Sequence, residues 1–185
     1  KWADVEVETG NIDPNSIEKL ITEHTKAIVI VDWSGRECDT KRIKEVAGDI
    51  PVIEDAAHVF HKKESGYPDN WYTVYSFGPI KHLTCGDGGA IVVPPEQYER
   101  AKLLRWYGLD RTRGESFRCA QNIREVGYKY HMNDIAAAIG ISNFKLAEEG
   151  VEKARTNAKY YSDNLKGEGI INPMYDETAS WWLYD

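Results

Sequence analysis

Apolar residues along the chain fall into short runs rich in β-branched and aromatic side chains, separated by polar stretches of helical period, which is the alternation of an α/β protein. Trp2 to Glu8 alternates like a strand. Asp13-Pro14 then supplies an N-cap and a first-turn proline for a helix over Asn15 to His24. Lys26 to Trp33 is apolar enough for a buried strand. Asp39 can cap a short helix through Val46, with Gly48 as its stop, before Ile50-Pro51-Val52-Ile53 leads a further strand into Glu54-Asp55. A third run ends at Ser76-Phe77, and a Gly78-Pro79 turn comes next. Glycines then lead into Ala90-Ile91-Val92-Val93. Pro95 opens a helix to about Tyr107, with Tyr98, Ala101, Leu104 and Leu109 near helical spacing, and Met132 to about Lys166 reads as one long helix that becomes charged from Lys145 onward. Ser180 to Asp185 reads as a strand cut in mid-run.

This pattern places two ionisable residues at strand ends. Lys81 comes after the Gly-Pro turn at the mouth of two strands, where partial desolvation lowers an ammonium's pKa and frees the amine as a nucleophile toward a carbonyl. Taken alone, the lysine reads as an ordinary solvated loop residue. Asp55 falls just past the carboxyl end of its strand, the position where open α/β sheets bind ligands. By itself it reads as an N-cap for the next helix.

Three blocks taken together carry a resemblance. Glu54-Asp55-Ala56-Ala57-His58, then Ser76-Phe77-x-x-x-Lys81 with Thr84-x-Gly86-x-Gly88-Gly89, then Gly127-Tyr128-Lys129-Tyr130-His131-Met132-Asn133-Asp134 resemble, in order and spacing, the DegT/DnrJ/EryC1/StrS family of sugar aminotransferases. The resemblance implies an α/β protein of pyridoxal-phosphate-dependent transferase fold type I (aspartate aminotransferase-like), a three-layer α/β/α large domain with a mostly parallel sheet, truncated here at both ends. Residues 1–140 would be part of the cofactor-binding large domain. Residues 141–185 would hold the long interdomain helix and the start of the small carboxyl-terminal domain.

It also implies roles. Lys81 would form the internal aldimine with pyridoxal 5′-phosphate and shuttle a proton at the cofactor. Asp55 would pair with the pyridine nitrogen, keeping the ring protonated as an electron sink. His58 would lie against the ring or near its phenolic oxygen, and Ser76 would hydrogen-bond the phosphate. His131 stands where some members carry an asparagine that reaches the partner subunit's cofactor phosphate. The implied reaction is transamination of a nucleotide-linked keto sugar, with glutamate as donor, in a homodimer whose active site lies at the interface. A dehydratase of the same family would carry histidine at the Lys81 position, and His82 is one residue late. A non-catalytic cofactor-binding or scaffolding fragment is the reading from another class. The 185-residue chain by itself is expected to self-associate, with Trp181, Trp182 and Tyr184 exposed at its end.

Composition narrows the field. A formal net charge of −7 gives no basic field for nucleic acid or an anionic membrane, and no apolar run approaches membrane-spanning length. Cys38, Cys85 and Cys119 are odd in number and widely spaced, which points to free thiols in a reducing, cytoplasmic compartment. His58-x-x-His61 with Glu64 lacks a second ligand pair of zinc-like spacing, so no metal is expected. Gly86-x-Gly88-Gly89 precedes a strand rather than a helix and is not a dinucleotide fingerprint. The polar stretch 110–126 is either a solvated loop or, through its arginines, a contact for a diphosphate.

Overall fold

A computed structural model describes residues 1–60, 69–112 and 120–185. Its centre is a four-stranded sheet of β1 (Ile28–Val31), β2 (Val52–Asp55), β3 (Trp71–Ser76) and β4 (Gly89–Val92), in that order. The first three strands are parallel and β4 is antiparallel to β3. Helices α1 (Pro14–Leu20) and α2 (Thr40–Ala47) pack on one face, where Ile17, Ile30, Ile43, Val52 and Trp71 form the main core. Helix α3 (Tyr98–Leu104) comes after a 3₁₀ turn at Pro95–Gln97, and α4 runs from Asp134 to Asn164.

Local chemistry sets most of the helix ends. Asp13 accepts from the Asn15 amide ahead of Pro14, Asp39 accepts from Arg42, Gly48 terminates α2 at positive φ, and Asn133 accepts from Ala136 at the start of α4. Four expectations need correction. Trp2 to Glu8 is no strand: only Val5 bridges to Ile12, because the segment turns back on itself at Glu6–Asn11 and Trp2 remains exposed. Helix α1 stops at Leu20 rather than His24, since Ile21 is already extended and Thr22 and Thr25 close a local turn. Helix α3 ends at Leu104, where Tyr107 and Gly108 adopt positive φ and Tyr107 bonds back to Tyr128. Residues 180–185 form no strand in the sheet. Trp181 there is buried rather than exposed, stacked on Tyr175 and under the Arg36 guanidinium.

Alternation divides the sheet into two unlike faces. Ile30, Glu54 and Thr73 share one register row and are all buried. Val31, Asp55 and Val74 share the next row and point the other way, onto a face where Val29, Val31, Ile53 and Val74 stay exposed. Ser76, two residues beyond Val74, is on this open face. No helix among the described residues is long and apolar enough to cross a membrane.

Candidate active site

The carboxyl ends of β1, β2 and β3 and the loop after β3 build one site. β2 delivers Asp55, whose Oδ1 accepts from the Ala57 amide at 3.0 Å and thereby turns the chain toward His58. β3 delivers Ser76, whose hydroxyl accepts from Gly78 at 3.3 Å. The next turn is closed by Lys81 donating its amide to the Gly78 carbonyl, and Phe77 is bonded to both Gly88 and Cys85. Helix α4 braces this loop from behind. Gly140 comes close enough to Cys85 that any side chain there would collide with the sulfur, and Asn143 donates to the Thr84 carbonyl.

Lys81 is half-buried, and its ammonium lies 3.9 Å from the ring centroid of Trp182. The same indole stacks on His58, with centroids 4.0 Å apart and ring planes 21° from parallel. Burial lowers the Lys81 pKa, and the nearby Asp55 charge partly opposes it. His58 is likewise pushed down, first by burial and then by the Lys81 charge, with Asp55 and Asp185 opposing. A cavity of about 190 Å³ opens beside these groups, lined among others by His58, Tyr75, Ser76, Lys81 and Trp182.

The end of β1 contributes residues that no sequence motif singled out. Trp33-Ser34-Gly35 make a tight 3₁₀ turn in which Ser34 has φ 59° and Gly35 φ 90°. Gly35 must be glycine on two counts, since a Cβ there would also lie 2.8 Å from the His58 carbonyl oxygen. The Ser34 amide donates to His58 Nδ1 at 3.3 Å, which leaves that imidazole face for Trp182. Arg36, buried, reaches the Asp185 carboxylate at 2.7 Å, and Ser34 Oγ and Trp33 Nε1 donate to the same carboxylate. The segment 180–185 is thus sewn to this turn, with Ser180 donating to the Gly35 carbonyl and Trp182 to that of Ser34. The strand-end rule that pointed to Asp55 would have pointed to Ser34; no local signal marks Trp182.

Of the five predicted residues, Asp55, His58, Ser76 and Lys81 come together. His131 does not: its ring sits against Trp106, 3.4 Å between centroids, in a different pocket with Leu109 and Arg111. His61, Glu64, Arg113, Arg118 and Cys119 lie outside the described residues, while Cys38 and Cys85 are free and buried.

With this geometry in hand, comparison with known proteins is decisive. The DegT/DnrJ/EryC1/StrS aminotransferase family matches residues 1–185. The chain belongs to that family. Its fold is type I of the pyridoxal-phosphate-dependent transferases, and pyridoxal 5′-phosphate is the family's cofactor. Among solved structures, AtS13 from Actinomadura melliaura superposes with a TM-score of 0.88 at 36% identity, over 100% of this chain and 53% of that one. The sugar aminotransferase CalS13 from Micromonospora echinospora gives 0.86 at 32%, over 100% of this chain and 54% of that one. An uncharacterised protein of Methanocaldococcus jannaschii is 35% identical over 99% of this chain and 51% of its own length. The chain spans about half the length of the relatives it matches.

The residues present fit the cofactor. A flat aromatic ring, the Trp182 indole, already lies against His58 with the Lys81 amine 3.9 Å from its centroid, so the position accepts a planar ring within reach of an amine. Asp55 and Ser76 stand on the same open face of the sheet.

Proposed function

We propose that the chain carries the catalytic half of an aminotransferase acting on a nucleotide-linked keto sugar, with an amino acid, glutamate by family likeness, as donor. The observation that supports it best is the half-buried Lys81 amine held over a flat ring that rests on His58, at the strand ends beside Asp55. Bound there, pyridoxal 5′-phosphate supplies an electron sink for the carbanion formed at the substrate carbon. Lys81 would hold the group through its Nζ and would be the amine that moves a proton at the substrate carbon. Burial lowers the pKa of this amine, against the opposing Asp55 charge, which favours its nucleophilic form. Asp55 would keep a proton on the ring nitrogen, and its own bond from the Ala57 amide fixes its orientation. Ser76 would hold a phosphate oxygen. His58, its pKa lowered first by burial and then by the Lys81 charge, would lie against the ring or near its phenolic oxygen.

We read residues 1–140 as part of the cofactor-binding domain and 141–185 as the passage to a second one. In a homodimer His131, held apart from this site, would serve the partner subunit's phosphate. Lysine rather than histidine at position 81 favours transamination over dehydration. Borohydride reduction in the presence of pyridoxal 5′-phosphate, followed by peptide mass analysis, tests the reading. The adduct should map to Lys81, and an adduct on another lysine would overturn the assignment.

A further inference from the structure

Trp182 belongs to none of the motifs above, yet it touches two of the groups the chemistry needs. Its indole stacks on the His58 imidazole and carries the Lys81 ammonium over its ring, and its Nε1 donates to the Ile80 carbonyl at 2.9 Å, one residue before that lysine. The ring is thus held by a stack, a cation and a hydrogen bond at its edge. Its backbone is held too: Trp182 and Ser180 donate to the carbonyls of Ser34 and Gly35, and the Ser180 hydroxyl accepts from the Phe60 amide at 2.8 Å. Just beyond, the Asp185 carboxylate is clasped by Arg36, Ser34 and Trp33. From the other side Arg155 of α4 donates to the carbonyls of Thr178 and Ala179. These contacts make 178–185 a strap stretched across the strand ends, with one aromatic ring turned inward.

We propose that Trp182 is a positioning residue for Lys81, an indole that lies where a flat, carbonyl-bearing ring must lie and gives way to it ring for ring. The proposal rests on the reading of Lys81 as the carbonyl-binding amine. It has three physical consequences. The cation–π contact directs the flexible lysine stem toward the ring position instead of solvent. The stacked indole keeps water and small carbonyl compounds off the amine. An incoming pyridine-type aldehyde recovers the same stacking on His58 that the indole gives up, so exchange favours flat aromatic carbonyls over aliphatic ones.

Site-resolved reductive methylation of the 185-residue chain tests this without needing a phosphate site or turnover. Each lysine amine condenses with formaldehyde, water leaves, and hydride from cyanoborohydride reduces the iminium, so peptide masses report access to every amine. Exposed Lys26 and Lys153 serve as internal standards. Lys81 should react more slowly than these standards in the wild type. Trp182→Ala should accelerate it about tenfold, in keeping with loss of one stacking and one cation–π contact, while leaving the standards unchanged. Trp182→Phe, which keeps a flat ring, should restore most of the protection, a rescue that a merely structural role would not give. Asp185→Asn, which loosens the strap without touching the ring, should give a smaller acceleration, and it decides the matter alone if the alanine variant does not fold. Equal Lys81 rates in wild type, Trp182→Ala and Asp185→Asn would overturn the proposal. Failure of the underlying reading looks different: pyridoxal 5′-phosphate and borohydride would then label Lys81 in no variant, whatever the methylation rates.

Discussion

Glu54 and Asp55 are adjacent acids on one strand, and they end in opposite worlds. Glu54 faces the helices, fully buried, and accepts from Trp71 Nε1 at 3.1 Å and from Thr73 Oγ1 at 2.7 Å. Asp55 faces the open side and keeps one oxygen on the Ala57 amide beside Lys81 and His58. The closed face is a core in which polar groups are spent on each other, whereas the open face keeps its polar groups for something else. Stability and chemistry are therefore separable here by side-chain parity alone, and that separation can be broken experimentally.

The largest effect belongs to the open face. Lys81→Ala should abolish the borohydride-fixed adduct entirely while leaving the circular dichroism spectrum intact, because a half-buried loop side chain is removed and no core is opened. Retention of the adduct at another lysine would place the chemistry elsewhere.

The closed face should respond in the reverse sense. Ile43 on α2 is completely buried in the main core, so Ile43→Ala should lower stability by about 2–5 kcal/mol, read from denaturant midpoints. Val29, its open-face counterpart on β1, is 59% exposed. Val29→Ala should stay within about 0.5 kcal/mol of the wild type. Comparable losses at both sites would mean that the open face is covered in solution, by another copy of the chain or by further protein.

These contrasts also explain which features are legible in the sequence. The caps at Asp13, Asp39 and Gly48 are local, so a few residues suffice to announce them. Parity along β2 and β3 is local as well, which is why Asp55 and Ser76 can be assigned to strand ends and do share a face. Lys81 is legible because a Gly-Pro turn between two apolar runs is an unusual place for a charge. The features that escape are long-range. Trp2 to Glu8 has a strand's alternation but finds no neighbour to pair with, and alternation without a partner makes no sheet. Trp181 and Trp182 read as the middle of a strand, yet Trp181 is taken up by Tyr175 and Arg36, and Trp182 by His58, Lys81 and Ile80. Contacts between residues so far apart along the chain leave no period in the sequence.

A smaller effect sharpens the role of Asp55. In a catalytically competent form of the protein, Asp55→Asn would keep the shape but remove the charge, so on the proposed reading the ring nitrogen would lose its ion-pair partner. A hydrogen bond to a charged group contributes about 1.5–3 kcal/mol, so turnover should fall tenfold or more with the melting temperature little changed. Turnover close to wild type would deny Asp55 its electronic role. The same substitution in reverse logic, Glu54→Gln, should act on stability, because the Trp71 and Thr73 donors would then face a neutral amide in a fully buried position.

The smallest effect is a titration. His58 is half-buried between Trp182 and the 3₁₀ turn, and both burial and the Lys81 charge favour its neutral form, with Asp55 and Asp185 pulling the other way. Its folded-state pKa is therefore below the unfolded value of about 6.5. A group depressed in this way adds stability above the unfolded pKa and gives it up as pH falls through the folded one, since the unfolded chain takes the proton first. The chain should accordingly lose a little stability as the pH is lowered from about 7 toward 5, and the His58 resonances should titrate below the free-histidine midpoint. Lys81→Met removes the cation but preserves most of the packing, so it should move the His58 midpoint part of the way back up. The remaining depression belongs to burial. A His58 midpoint at or above the free value in the wild type, or one that does not move in Lys81→Met, would separate the two side chains and undo the open-face site from which the comparison with Glu54 began.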